Sequence, residues 1–268
     1  LFAKVHKFLL VHDYLVFQLT GELCTTESSA SAMGCLDILN RNRWADAILA
    51  DLGIPPDRFV SSIRPAGSLL GVVSPTAAQM TGLLTGTPVI ATAGDQVCGC
   101  LATGLTDSHQ VGVNSGTSLT FQTLSAKPTF DPCCHYILEI SPLGYYAPET
   151  VVFSGVSDLL QWYRHSFTKA DEEEANRTGR SIWQLIFEGA GSIKPGCDGL
   201  MLFPFFRGVQ APYWSNEARG LLVGLSTAHT RHHLARAILE GLAYESRRQI
   251  QLLDSGTDTT ISEILLYG

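Results

Sequence analysis

The chain has 268 residues, above the usual size of one domain, about 100 to 200 residues, and this length predicts two domains. Hydrophobic residues make up 45% and charged residues 16%, a composition that excludes disorder over most of the length. The formal net charge of −7, with no long basic run, excludes a nucleic-acid-binding protein.

The cysteines are odd in number and form neither a CxxC pair nor a spaced zinc pattern. We therefore expect free thiols and a reducing, cytoplasmic location. Cys133, Cys134 and His135 offer metal ligands, as do Cys98 and Cys100, but their flanking sequences are typical of packed core and loop, so we predict no metal-ligand residues. The first ten residues contain no apolar run long enough for a signal peptide or a membrane-spanning helix.

Three helices are predicted in the first third of the chain. Apolar residues recur at helical spacing in residues 4–19 and again in residues 43–52. Ser74 is a good N-cap and Pro75 a good first helical residue, so a short helix is expected through residue 81. A glycine closely follows each segment, and the helices are expected to end at these glycines: Gly21, Gly53 and Gly82.

The middle of the chain predicts both strands and helices. A short apolar, partly β-branched run at residues 88–93 predicts a buried strand, and the small residues that follow it, to Gly104, predict a tightly packed helix. Alternating apolar residues around Gly116 predict a β-hairpin. Further helices are expected at residues 157–167 and 230–253. This mixture indicates an α/β architecture, with a domain boundary at residues 105–109.

Asp95 and Gln96 directly follow the predicted strand, at its carboxyl end. Open α/β sheets bind ligands at this end of their strands, so Asp95 is a candidate functional carboxylate. The alternative is that Asp95 is only the N-cap of the following helix. This motif alone supports the two interpretations equally.

The predicted hairpin turn, residues 114–118, places hydroxyl groups on both sides of Gly116. Such a turn can lay backbone N–H groups and hydroxyls against a phosphate, although many hairpins of this composition bind nothing. The turn has no terminal lysine, which excludes a P-loop. No Gly-x-Gly-x-x-Gly follows a first strand, which excludes a dinucleotide-binding enzyme.

The combination of these motifs resembles the FGGY family of carbohydrate kinases, and its xylulokinase-like members in particular. Gly-Asp-Gln at residues 94–96, followed by Ser-Gly-Thr-Ser at residues 115–118, is similar to the catalytic aspartate and second phosphate motif of that family. Residues 220–225 and 233–240 resemble its carboxyl-half signature. Other similar segments extend the resemblance over essentially the whole chain: residues 4–22, 81–89 and 212–220.

The resemblance implies an α/β fold of the actin, Hsp70 and hexokinase type, which is ribonuclease H-like and has two domains. Residues 1–106 would be the carboxyl-terminal part of the sugar-binding domain, and residues 107–268 the amino-terminal part of the nucleotide-binding domain. The implied activity is ATP-dependent phosphorylation of a hydroxyl on xylulose or a related ketose or polyol. The implied cofactors are ATP and Mg²⁺.

The resemblance also implies roles for individual residues. Asp95 would be the general base and Gln96 would bind a neighbouring sugar hydroxyl. Ser157 stands where the family has a glycine, and Gly155 lies two residues earlier. The residues expected to hold the nucleotide are Gly116, Thr117, Ser118, Gly155, Ser157 and Gln161.

Two family features have no counterpart in the sequence. These are an Asp-x-Gly-Thr turn near the amino terminus and most of the adenosine loop, which is reduced to Tyr267 and Gly268. We therefore expect this polypeptide alone to be inactive or nearly so. The alternative function is that of a truncated, non-catalytic protein of the same fold, with at most weak nucleotide or partner binding. The expected partner is a small sugar or polyol, with no nucleic acid or membrane, and a homodimer is left open.

Overall fold

The computed structural model describes residues 4–152, 155–257 and 259–268. The chain divides into two units. Unit 1 comprises Leu1–Ser108, Thr123–Phe130 and Leu138–Pro148, and unit 2 comprises His109–Gln122, Asp131–Ile137 and Glu149–Gly268. Unit 1 therefore includes two short segments that follow the first segment of unit 2 in the chain.

Short helices and two-stranded sheets make up most of unit 1. Its helices are α1 (Val11–Thr20), α2 (Glu27–Ala32), α3 (Asp46–Asp51), α4 (Pro75–Thr81) and α5 (Asp95–Ala102). Its paired strands are β1 (Cys24–Thr26) with β2 (Ser62–Arg64), which are parallel, and β3 (Leu69–Val72) with β4 (Pro88–Ile90), which are antiparallel. A buried cluster that includes Trp44, Leu49 and Phe59 forms one core of this unit.

The first helix begins at Val11, so the prediction of a helix from residue 4 was wrong at its start. The preceding segment pairs with the turn at residues 56–59, where the Phe8 N–H donates to the Arg58 carbonyl at 2.8 Å. The Lys7 Nζ donates to the Phe59 carbonyl at 2.9 Å, and the Phe8 and Phe59 rings lie 5.6 Å apart. The apolar spacing of this segment therefore reflects packing against that turn.

The helix ends predicted at glycines are confirmed. Gly21, Gly53 and Gly82 have φ angles of +81°, +66° and +79°, a left-handed conformation that glycine adopts without steric cost. The start of α4 is confirmed as well. Ser74 Oγ accepts the Ala77 N–H at 3.2 Å, and Pro75 is the first helical residue.

The helix predicted at residues 43–52 is α3, and it begins three residues after its predicted start. Trp44 pairs in an isolated β-bridge with Leu36, and its indole Nε1 donates to the Val60 carbonyl at 2.6 Å. The backbone is therefore not free to turn into a helix until Asp46. The aromatic residue that strengthened the apparent helical pattern packs in the core from outside the helix.

The prediction of a buried strand at residues 88–93 was wrong. β4 covers only Pro88–Ile90, and both Pro88 and Ile90 are exposed. An apolar run without alternation indicates a strand covered on both faces, as in a central parallel sheet. Here β4 pairs with β3 alone within the described residues, and this two-stranded sheet leaves Leu69, Val72 and Ile90 about half exposed.

A five-stranded sheet is the largest in the described chain. Its strands lie in the order β11-β5-β6-β8-β7. In chain order these strands are β5 (Gln110–Ser115), β6 (Leu119–Gln122), β7 (Ile137–Ile140), β8 (Tyr146–Val152) and β11 (Glu263–Tyr267). The intervening strands β9 (Met201–Phe203) and β10 (Leu221–Val223) form a separate two-stranded sheet. β5 and β6 are antiparallel, with Val113 opposite Phe121, so the predicted hairpin is confirmed. β11 runs parallel to β5.

Helices pack around the sheet within unit 2. They are α6 (Val156–Phe167), α7 (Lys169–Thr178), α8 (Ile182–Gly191) and α9 (Arg231–Thr257). Phe121, Tyr163 and Ile238 are fully buried at their centre. Helix α9 lies so close to β9 that a Cβ on Gly241 would come within 2.3 Å of the Leu202 carbonyl oxygen. Among the residues described, no helix has both the length and the apolar character needed to cross a bilayer.

Candidate functional site

Asp95 is the first residue of α5, and its side chain is exposed. The N-cap of the helix is Gly94, so the alternative in which Asp95 caps the helix was wrong. The Asp95 Oδ1 accepts the N–H of Gln96 at 2.9 Å, which fixes the carboxylate beside the first turn of the helix. A carboxylate in that position is also favoured by the positive end of the helix dipole.

A solvent-open cleft of about 690 Å³ lies beside Asp95 within unit 1. The amino-terminal part of α1, the helix α2 and residues 92–98 form its walls. Most of the lining is apolar, while His12, Ser29 and Asp95 contribute polar side chains. An apolar cleft of this size with a few convergent polar groups is typical of small-molecule sites.

The serine-rich segment at residues 25–31, to which sequence analysis assigned no element, builds one wall of this cleft. Thr26 is the N-cap of α2, and its Oγ1 accepts the Ser29 N–H at 3.1 Å. Ser31 Oγ accepts the N–H of Ile140 at 3.0 Å, which ties α2 to β7. The side chains are buried and small, so the cleft floor packs closely. The signal that could have predicted this helix start is a threonine followed directly by an acidic first-turn residue, Glu27.

Asp13 is a second carboxylate near the cleft, but it is buried. Burial raises its pKa, and this effect is only partly offset by the neighbouring His12 ring, the nearby Thr25 hydroxyl and the N–H of Leu10. The His12 Nε2 lies 3.3 Å from the Asp13 Oδ1. Asp13 is therefore a buried carboxylate beside the cleft, while Asp95 is the carboxylate that solvent reaches.

Glu139, on β7, is a titratable residue that sequence analysis missed. Its side chain is 9% exposed. Burial raises the Glu139 pKa to about 7, and the negative charge of Asp95 contributes to the rise, so the two carboxyl groups are close enough to interact. The signal that could have found it is an acidic residue inside the apolar run Ile137–Ile140.

In unit 2, the predicted phosphate turn packs against the start of α6. The N–H of Gly155 donates to the Thr117 carbonyl at 2.8 Å, and the N–H of Ser157 donates to the Gly116 carbonyl at 3.3 Å. A Cβ on Gly155 would come within 2.5 Å of the Gly116 carbonyl oxygen, so only glycine allows this approach. The turn therefore caps the helix, and these two N–H groups are already paired.

Thr117 and the outer face of α6 carry the remaining polar groups predicted to hold a nucleotide. Thr117 is exposed, and within the described residues its hydroxyl makes no hydrogen bond. Ser157 and Gln161 are also exposed, and they share one face of α6 because they are four residues apart. Ser118, at the far end of the turn, accepts the Gly116 N–H through its carbonyl at 3.1 Å.

The structure thus brings the predicted residues together in two groups. Asp95 lines the cleft of unit 1, while Gln96, the next residue of α5, is not among the residues that line it. The turn residues and the start of α6 form the second group in unit 2, where the hydrogen bonds between them confirm their proximity: Gly116, Thr117, Ser118, Gly155 and Ser157. Gln161 follows one helical turn later.

Comparisons with known proteins find similar sequences over nearly the whole chain. Residues 1–102 match the sequence model of the FGGY family of carbohydrate kinases, N-terminal domain, and residues 111–268 match that of its C-terminal domain. The gluconokinase of Bacillus subtilis is 28% identical over 267 residues, which cover 99% of this chain and 51% of that protein. The xylulose kinase of the same organism is 30% identical over 258 residues, 94% of this chain and 48% of that protein.

Solved structures of sugar kinases superpose on almost the whole chain. The crystal structure of xylulose kinase from Rhodospirillum rubrum superposes with a TM-score of 0.80 at 29% identity, over 96% of this chain and 50% of that one. The fold is therefore the mixed α/β, actin- and hexokinase-like fold of sugar kinases, as the sequence predicted. The chain spans about half the length of the curated relatives it matches.

Proposed function

The chain belongs to the FGGY family of carbohydrate kinases, and from this premise we propose that the natural protein transfers the terminal phosphoryl group of ATP to a hydroxyl of a small sugar, polyol or sugar acid. The observation that carries the proposal is the exposed carboxylate of Asp95 at the edge of a cleft large enough for such a substrate. The similarity to a xylulose kinase and a gluconokinase favours a ketopentose or gluconate.

In the proposed mechanism, Asp95 acts as the general base. A carboxylate can accept the proton of an attacking hydroxyl that lies within hydrogen-bond reach. The N–H of Gln96 holds one carboxylate oxygen in place, which limits the orientations of the base. The side chain of Gln96 is proposed to bind a neighbouring substrate hydroxyl.

The turn at Gly116 and Thr117 is proposed to contact the nucleotide phosphates. Its exposed threonine hydroxyl suits a phosphate oxygen, and its backbone is braced by the two hydrogen bonds from the start of α6. Ser157 and Gln161, on the exposed face of the same helix, are proposed to lie along the nucleotide. Mg²⁺, when bound with ATP, would neutralise charge on the phosphates, and an exposed carboxylate such as that of Asp95 fits the oxygen ligands that it prefers.

The test is a coupled assay of ADP release on the natural full-length protein, with D-xylulose, gluconate and glycerol as substrates. Asp95→Asn keeps the shape of the side chain and removes its basicity, so we expect kcat to fall by about 10²-fold to 10⁴-fold with substrate binding largely kept. Asp51→Asn, an exposed aspartate on α3, is the matched control and should leave kcat unchanged. An Asp95→Asn variant that retains wild-type turnover would refute the assignment of the base.

A further inference from the structure

The loop at residues 131–135, between β6 and β7, closes around the carboxylate of Asp131. The Asp131 Oδ1 accepts the Cys133 N–H at 2.8 Å, and the Oδ2 accepts the His135 N–H at 2.9 Å. The His135 Nδ1 lies 2.7 Å from the same Oδ2. These contacts draw three chemically different side chains to one side of the loop.

Asp131, Cys133 and His135 place a carboxylate oxygen, a thiol sulfur and an imidazole nitrogen within 4.8 Å of one another. In a tetrahedral zinc site, bond lengths of about 2.0 to 2.3 Å put neighbouring ligand atoms about 3.3 to 3.8 Å apart. The observed separations therefore require only small side-chain movements, including a slight opening of the contact between His135 and Asp131. Cys133 is exposed and the other two are partly exposed, so an ion can reach them from solvent.

Contacts within unit 2 hold this loop in place at Cys134 and at Tyr136, the residue that follows it. The indole Nε1 of Trp214 donates to the Cys134 carbonyl at 2.7 Å. The Tyr136 hydroxyl donates to the Gly256 carbonyl at 2.9 Å. Ligands on a loop that is already ordered lose less conformational entropy on binding, which favours affinity.

We propose that Asp131, Cys133 and His135 bind a divalent transition-metal ion, with Zn²⁺ as the ion that the donor set suits best. A thiolate and an imidazole select zinc over magnesium or calcium, which prefer oxygen ligands throughout. Three protein ligands leave one tetrahedral position for water. This site is separate from the Mg²⁺–nucleotide chemistry of the proposed function and does not depend on it. No metal ligands were predicted from the sequence because the residues that flank this cluster are typical of packed core and loop.

The test uses Co²⁺ as a spectroscopic probe on the metal-free protein. We expect a thiolate-to-cobalt charge-transfer band and the visible bands of a tetrahedral ion, both abolished when Zn²⁺ is added in competition. Loss of an outer contact typically costs 10-fold to 100-fold in metal affinity, so Cys133→Ser, which removes a direct ligand, should weaken binding by at least about 100-fold. His135→Ala should weaken it similarly.

Cys134→Ser is the matched control, because Cys134 is an adjacent exposed free thiol outside the cluster. This variant should bind Co²⁺ as the wild type does. A charge-transfer band that survives in Cys133→Ser would show adventitious binding by another thiol and overturn the proposal, as would the absence of a band at millimolar Co²⁺. Alkylation of the wild type gives a readout without substitution: Zn²⁺ should protect Cys133 more than Cys134, and equal labelling with and without Zn²⁺ would contradict the site.

Discussion

At the scale of single residues, the raised pKa of Glu139 predicts that the free energy of unfolding depends on pH. Its pKa is about 7 in the folded chain, against an ordinary value of 4.5, because of burial and then the charge of Asp95. Between these pH values the folded chain keeps the proton and the unfolded chain releases it. The free energy of unfolding should therefore fall as the pH rises from about 4.5 through about 7, by at most roughly 3 kcal/mol from this group.

Chemical denaturation at pH 5 and pH 8 measures this effect. Glu139→Gln cannot ionise, so its free energy of unfolding should change less between the two pH values than that of the wild type. Glu217→Gln, at an exposed position, should keep the wild-type difference. If Glu139→Gln also keeps that difference, the buried carboxyl is not the titrating group.

Asp95 and Glu139 also show what single-residue chemistry a sequence can predict. The position of Asp95 after a predicted strand made it a candidate, and the resemblance to the FGGY family then implied its role as the base. Glu139 has an unusual pKa only because residues 138–148 pack into unit 1, a tertiary contact that no local pattern encodes. The donor cluster at residues 131–135 was noticed from its composition, but the role of Asp131 in gathering it depends on side-chain geometry.

At the scale of elements, the close contact between the hairpin turn and α6 predicts a large effect for Gly155→Ala. The added methyl group would lie 2.5 Å from the Gly116 carbonyl oxygen and 2.6 Å from the Ser118 carbonyl carbon. Overpacking of backbone against backbone typically costs about 1 to 3 kcal/mol, so we expect a loss of that size in the free energy of unfolding. In the natural full-length protein the KM for ATP should rise as well.

Gly191→Ala, at the end of α8, is the control for that substitution. A Cβ there would meet nothing within 4 Å, and alanine is favoured over glycine in helices. Thermal unfolding should therefore show a neutral or slightly stabilised Gly191→Ala beside a destabilised Gly155→Ala. Equal melting temperatures for the two variants would mean that the turn and the helix are not tightly packed.

The elements that the sequence predicted well are those with strong local signals. Helix α4 has an N-cap serine, a first-turn proline and a terminal glycine, and all three were placed correctly. Errors occurred at α1 and α3, where Phe8 and Trp44 mimic helical spacing while packing from outside a helix. The exposure of β4 was missed because it depends on how many strands pair beside it, which is a property of the sheet and not of the segment.

At the scale of the whole molecule, the two units have separate buried clusters, one around Trp44 and Leu49 and the other around Phe121 and Ile238. Leu49→Ala should cost about 2 to 5 kcal/mol by opening a cavity in the first cluster. Because the clusters share no residue, hydrogen exchange should increase in peptides from residues 44–60 while α9 keeps its protection. Equal loss of protection in α9 would show that the chain opens as one cooperative body.

The backbone hydrogen bonds between the hairpin turn and the start of α6 couple the positions of these two elements. The carbonyls of Gly116 and Thr117 accept N–H groups from the start of α6. A displacement of the turn is therefore expected to displace the start of the helix as well. Asp158, the residue after Ser157 on α6, accepts two hydrogen bonds from the Arg207 guanidinium, one to each carboxylate oxygen, at 2.6 and 2.9 Å. We therefore expect a ligand that displaces Thr117 to shift the start of α6 and, through the Asp158–Arg207 ion pair, the connection between β9 and β10 that carries Arg207.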